Sequence, residues 1–192
     1  MIKAFLNYLY SIRFLIIICI FAFFFSILAG YFSAQSNPQE AEEFFEKLGE
    51  MYEPIEGFSS FGQFIFVILN NSIALFLSIL LGIVFGVFPF IVIFSNGTIL
   101  GILMYLFQYN LSLDQFFIGI LPHGILEIPL LIIGCAMGLR VGKEVFRRVF
   151  QKEGDIKKEL STALEFFWKI IIPLLALAAA IEVFITARIL GV

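Results

Sequence analysis

A chain of 192 residues that is 61% hydrophobic, with 26 phenylalanines and only 14% charged residues, has too little polar surface to cover a water-soluble globule. At a mean hydropathy of +1.03 it is an integral membrane protein. The formal net charge of -3 says little by itself, because the charges stand in separate blocks; with no C-x-x-C, Cys/His array or Walker-type glycine loop, the common soluble cofactor motifs are absent.

The first apolar run, Phe14 to Ala34, has the length of about 20 residues needed to span a bilayer and exceeds a signal-peptide core. Phe32 occupies the place where a cleavage site wants a small residue, so the run reads as a retained signal-anchor. Lys3 and Arg13 keep the amino end in the cytoplasm by the positive-inside rule. Cys19 in this run and Cys135 further on sit in helix-like apolar sequence, where a thiol packs as a small hydrophobe, and neither a disulfide nor a metal cluster is expected.

Residues 35–62 then form an extracytoplasmic segment with seven glutamates against Lys47. Asn37-Pro38-Gln39-Glu40 predicts a helix start with proline at the first position and a reciprocal cap. Phe44, Phe45, Leu48, Met51 and Tyr52 share one face, which predicts a short amphipathic helix resting on the membrane surface or docking a partner.

From Phe64 to Phe107 no residue is charged, a length that suits two spans joined by a tight turn. The breakers Gly82, Gly86 and Pro89 place the turn between 82 and 90, unless the second member is itself broken at Asn96-Gly97. Asn70, Asn71 and Asn96 are amides that need partners in lipid, as interhelical hydrogen bonds or as ligand contacts. Ser112-Leu113-Asp114-Gln115 predicts another capping box, opening a helix that Pro122 stops.

Leu121-Pro122-His123-Gly124-Ile125-Leu126-Glu127-Ile128-Pro129 sets the only histidine and a glutamate four residues apart between two prolines. This stretch is expected to be irregular or kinked before a regular span resumes, and non-helical backbone at that depth survives only against protein or a wet cavity. Gly134, Gly138 and Gly142, like Gly82 with Gly86 and Gly97 with Gly101, follow the small-x-x-x-small pattern of close helix packing, within the bundle or in a homo-oligomer. Residues 140–169 carry eight of the twelve basic residues, interspersed with five acidic ones. They read as a cytoplasmic mixed-charge helical hairpin and not as a nucleic-acid patch, so no nucleic-acid partner is expected. The last span carries Glu182 and ends at Arg188.

The sequence therefore predicts an all-α polytopic transmembrane bundle of one domain. About five spans are expected, near 14–34, 63–83, 87–107, 122–143 and 167–189, with a broken or kinked element at 122–129. The amino terminus is placed in the cytoplasm of a prokaryote's plasma membrane and the carboxyl terminus outside. His123, Glu127 and Glu182 fall at comparable depth, so the three can meet: as a hydrogen-bonded junction, as a proton or ion relay, or as ligands of a divalent metal ion, the one cofactor these residue types suggest.

At these residues the chain resembles the stage II sporulation protein M family of polytopic membrane proteins. The resemblance rests on Pro122, His123 and Gly124 followed by Glu127 and Pro129, on Asn70 and Asn71 opening a span, and on Asn96 and Gly97 with Gly101, and it covers about residues 60–190. It implies a five-span bundle similar to a membrane anchor that, in spore formers, recruits peptidoglycan-remodelling enzymes. Three functional readings follow. The first is a membrane scaffold that organises membrane or extracytoplasmic protein partners around a buried His/Glu site. The second is a small permease moving a cation, proton or small solute past His123, Glu127 and Glu182. The third is an intramembrane metal-dependent hydrolase.

Overall fold

The computed structural model describes residues 2–110 and 113–186, the side chains of 56, 109–110, 113–123, 125 and 185–186 excepted. Among the described residues every regular element is helical: α1 (Ile2–Ser11), α2 (Arg13–Ser36), α3 (Pro38–Glu56), α4 (Ser60–Leu80), α5 (Val87–Asn110), α6 (Leu113–Phe150), α7 (Ile156–Phe166) and α8 (Ile172–Ile181). Helices are what such a sequence must form, because a bilayer offers no water to the backbone and each segment has to satisfy its own N–H and C=O groups. Among the described residues four stretches are, by length and composition, long and apolar enough to cross a membrane: Arg13–Ser36, Ser60–Ile83, Val87–Gln108 and Ile156–Phe184. The 38-residue α6 is a further long helix, and it stands at the centre, packed against α2, α4, α5, α7 and α8.

Three local expectations are corrected. First, α6 is helical straight through Pro122 and Pro129, with no irregular element at 122–129 and no stop at Pro122. Each proline removes one backbone donor, a loss that surrounding helices make tolerable in apolar segments. Second, α5 is unbroken at Asn96-Gly97. The Asn96 amide donates to the Val92 carbonyl of its own helix at 2.8 Å, so the amide needs no partner across an interface. Third, Asn37 makes no side-chain cap, and α3 opens on Pro38 at its first turn. The box expected at Ser112 lies outside the described residues.

The α4–α5 turn is tight: a 3-10 turn at Leu81–Ile83, then α5 from Val87, with Phe85 at φ 51° and Gly86 at φ 75°. Glycine at 86 holds a left-handed conformation at no steric cost. At the opposite end of α4, the Ser59 hydroxyl accepts from the Gly62 N–H at 3.3 Å, so Ser59→Ala should cost about 1 kcal/mol, read as a fall in thermal midpoint in detergent.

The predicted glycine faces are internal seams. A Cβ on Gly82 would run into the Gly138 carbonyl, one on Gly138 into that of Ser78, and one on Gly142 into the Gly86 N–H, which fixes α6 against the α4–α5 turn. On the other side of α5, Gly97 and Gly101 meet the backbone of Phe23 and Ile27 in α2, and Gly30 returns the contact at Thr98. Such faces bring helix backbones together where lipid supplies no hydrophobic drive. Beside this packing, the Ser72 hydroxyl is buried with no hydrogen-bond partner among the described residues. Ser72→Ala should therefore raise stability by about 1 kcal/mol, measured as a higher thermal midpoint.

The last helix is continuous from Ile156 to Phe184 but changes pitch twice, through π turns at Phe167–Ile171 and Glu182–Thr186. The first places the Ile172 N–H on the Phe167 carbonyl just before Pro173, which has no N–H to continue the ladder.

Candidate functional site

α4 and α5 touch only sparingly outside their turn, and α6 stands behind both. The gap between them is a cavity of about 440 Å³, within the range of small-molecule sites. Asn70 and Asn71 of α4, Asn96 of α5, and Gly124 and Glu127 of α6 all line it, together with an apolar wall that includes Phe23, Leu75, Leu100 and Leu131. The helix seam explains why these polar groups coincide. Asn71 lies eleven residues from Gly82 and Glu127 eleven from Gly138, so the two stand at one level, about 16 Å from the Gly82–Gly138 contact at 1.5 Å per residue.

One polar contact closes the back of the cavity: the Asn71 amide donates to Glu127 Oε1 at 2.8 Å, and both side chains are half-buried. Asn70 and Asn96 are exposed despite lying mid-way along apolar helices. Glu182 opens the second π turn and lies within electrostatic reach of Glu127. Thus the structure brings together Asn70, Asn71, Asn96, Gly124 and Glu127, with Glu182 nearby. Gly97 is elsewhere, packed on α2, and Pro129 is exposed and not part of the lining.

The side chains of Pro122 and His123 lie outside the described residues, and the metal reading of His123, Glu127 and Glu182 falls there with them. Among the described residues no group of three or more His, Cys, Asp or Glu side chains gathers closely enough to hold a metal ion. What the described lining offers is one carboxylate, three amides, the Tyr52 phenol and an apolar wall, a set whose chemistry is charge and hydrogen bonding.

The sequence reading missed Tyr52, which reaches the cavity from α3 and stacks edge-on against Phe66. Its membership of the aromatic face of α3 was the available signal. α3 is moored nearby by Phe45 against Phe107, and by Ala41 packing with Ala34, Tyr105 and Leu106. Also missed was an ion network at the opposite end. Glu144, only 5% exposed, pairs with Arg140 and accepts from Arg147 and the Asp155 N–H, while Glu159 accepts from Arg140 and from the Tyr8 hydroxyl at 2.8 Å. Burial and the neighbouring Glu159 push the Tyr8 phenol well above its usual pKa, so it stays a donor. The i, i+4 pair Arg140/Glu144 was its sequence signal.

Comparison with known proteins gives a consistent picture. The uncharacterised protein MJ0793 of Methanocaldococcus jannaschii is 34% identical over 130 residues, covering 64% of this chain and 70% of the relative. No solved structure matches the chain. A family model described as stage II sporulation protein M matches residues 19–187, a range that takes in the whole cavity lining, and on that match the chain belongs to the stage II sporulation protein M family.

Proposed function

We propose that this protein is a multi-pass plasma-membrane protein of a prokaryote that binds a small polar solute within its helix bundle, in the manner of a permease. The observation that carries the reading is the exposure of Asn70 and Asn96 to the cavity at mid-helix. Asn70 makes no side-chain hydrogen bond among the described residues, and Asn96 spends one N–H on the Val92 carbonyl and keeps its amide oxygen open; an amide facing hydrocarbon without partners costs several kcal/mol, on the order of 4–8 by transfer to alkane, so Asn70 above all belongs to a wet space. Polar groups placed at membrane depth typically mark a pathway or binding site. In this reading the amino end and the ion network are cytoplasmic, the cavity opens toward the extracytoplasmic side beneath α3, and the carboxyl end is outside. The ten basic residues of the cytoplasmic segments against Lys47 and Arg188 support that orientation.

The test is thiol accessibility in membrane vesicles. Asn96→Cys should react with a small methanethiosulfonate reagent, which needs a hydrated thiolate, whereas Ile93→Cys, at a position with no exposed surface, should not. Equal inertness of both would remove the wet cavity and the permease reading with it.

A scaffold reading has one observation in its favour. α3 keeps Glu42, Glu43, Glu46, Glu50 and Glu53 exposed alongside Phe45 and Met51, a surface that could face an extracytoplasmic protein partner. It predicts that charge reversal along α3 changes complex formation while thiol accessibility at Asn96→Cys is unchanged.

A further inference from the structure

We propose that the cavity is a site for an organic ammonium ion, a molecule with one cationic amine and a short apolar body. This deepens the permease reading and rests on its wet cavity. Three features of the lining select that class. The first is charge. Among the described residues Glu127 is the one carboxylate in the lining, and Lys and Arg are absent from it, so a cation is favoured and an anion opposed.

The second feature is the donor set. Asn71 already donates an N–H to Glu127, which holds the carboxylate in place and leaves the amide oxygens of Asn70, Asn71 and Asn96 as acceptors for the N–H groups of an amine. A bare divalent ion would ask for about six oxygen ligands in a compact shell. The amides here stand on two different helices at the edges of a cavity of about 440 Å³, far larger than such a shell, so the volume calls for a ligand with a body.

The third feature is the wall. Phe23 and Tyr52 supply aromatic rings, and Ile99, Leu103, Ile128 and Leu175 supply aliphatic surface. Aromatic rings attract ammonium groups through their quadrupole and also cover an apolar tail. One carboxylate, several amide oxygens, aromatic rings and aliphatic cover together match an alkyl- or arylalkyl-ammonium.

The experiment uses the full chain in membrane vesicles with the Asn96→Cys thiol as reporter, and hexylammonium, hexanol and hexanoate as probes of one length and three charges. Hexylammonium should slow thiol modification by about tenfold, and hexanol and hexanoate should slow it much less. Glu127→Gln, which keeps a hydrogen-bonding group beside Asn71, should abolish the protection by hexylammonium, each rate being read against that of the same variant without probe. Equal protection by hexanol, or protection by hexylammonium that survives Glu127→Gln, would overturn the ammonium assignment while the wet cavity stands. Labelling that no probe slows would overturn it too. A thiol that does not label at all would instead bring down the cavity reading beneath it.

Discussion

Gly138→Val should abolish the folded bundle. A Cβ at this position would collide with the Ser78 carbonyl carbon and oxygen and with the Pro89 ring, and one at Gly82 would in turn meet the Gly138 carbonyl. The obstacles are mainly backbone and a rigid ring, which cannot rotate aside as a flexible side chain does, so relief requires α4 and α6 to separate. Separation would break the seam that sets the height of Asn71 and Glu127, and would unpack Leu75, Ile79, Ala136 and Met137 from the core. The cost should exceed about 4 kcal/mol, the exceptional range for a single substitution. It would be seen as loss of monodisperse protein on detergent extraction and loss of the cooperative melt. Gly49→Ala is the matched control. Nothing lies within 4 Å of its added Cβ on α3, so it should gain up to about 1 kcal/mol from helix propensity. A Gly138→Val protein melting within a few degrees of the parent would refute the seam.

Glu144→Ala should be the most damaging change among the charged residues. Its carboxylate is 5% exposed and serves Arg140, Arg147 and the Asp155 N–H together. It thereby ties the end of α6 to the start of α7, while Arg140 and Glu159 extend the tie to Tyr8 of α1. Removing one member of a buried charge set leaves its partners uncompensated, at about 3–5 kcal/mol when burial is complete. The Arg140 side chain is 24% exposed, so water recovers part of that loss, and about 2–4 kcal/mol is expected. Glu153→Ala removes a partner whose side chain is 67% exposed and should cost under about 1 kcal/mol. Chemical or thermal unfolding of the two variants side by side in one detergent checks the contrast, and equal losses would contradict it.

Other expected effects rank below these for a physical reason. Ser59→Ala removes a cap at an exposed helix end, and Ser72→Ala removes a hydroxyl that makes no bond among the described residues. Neither opens a cavity nor strands a charge, so both stay near 1 kcal/mol.

The sequence by itself determined the class of the molecule and the identity of its polar residues. Composition alone demanded apolar helices, because 61% hydrophobic residues leave lipid as the only solvent for so much surface. Glycines four residues apart announced close helix contacts, and Asn70, Asn71, Asn96, Gly124 and Glu127 stood out because polar or flexible positions in apolar runs demand a reason. The sequence could not say that the two prolines of α6 would be carried inside one helix, or that Asn96 would bond its own backbone, since local propensity does not count the packing that compensates a missing hydrogen bond. It could not separate Gly97, a packing residue, from Asn96 beside it, because adjacent residues on a helix point about 100° apart and only the position of α2 decides which direction is filled. Nor could it bring Tyr52 to the cavity or Tyr8 to Glu159, pairs set by how helices distant in sequence come to rest against one another. The common height of Asn71 and Glu127 belongs to the tertiary structure too: it exists because the Gly82–Gly138 contact locks α4 and α6 in register, and equal helical rise then carries their polar residues to the same level.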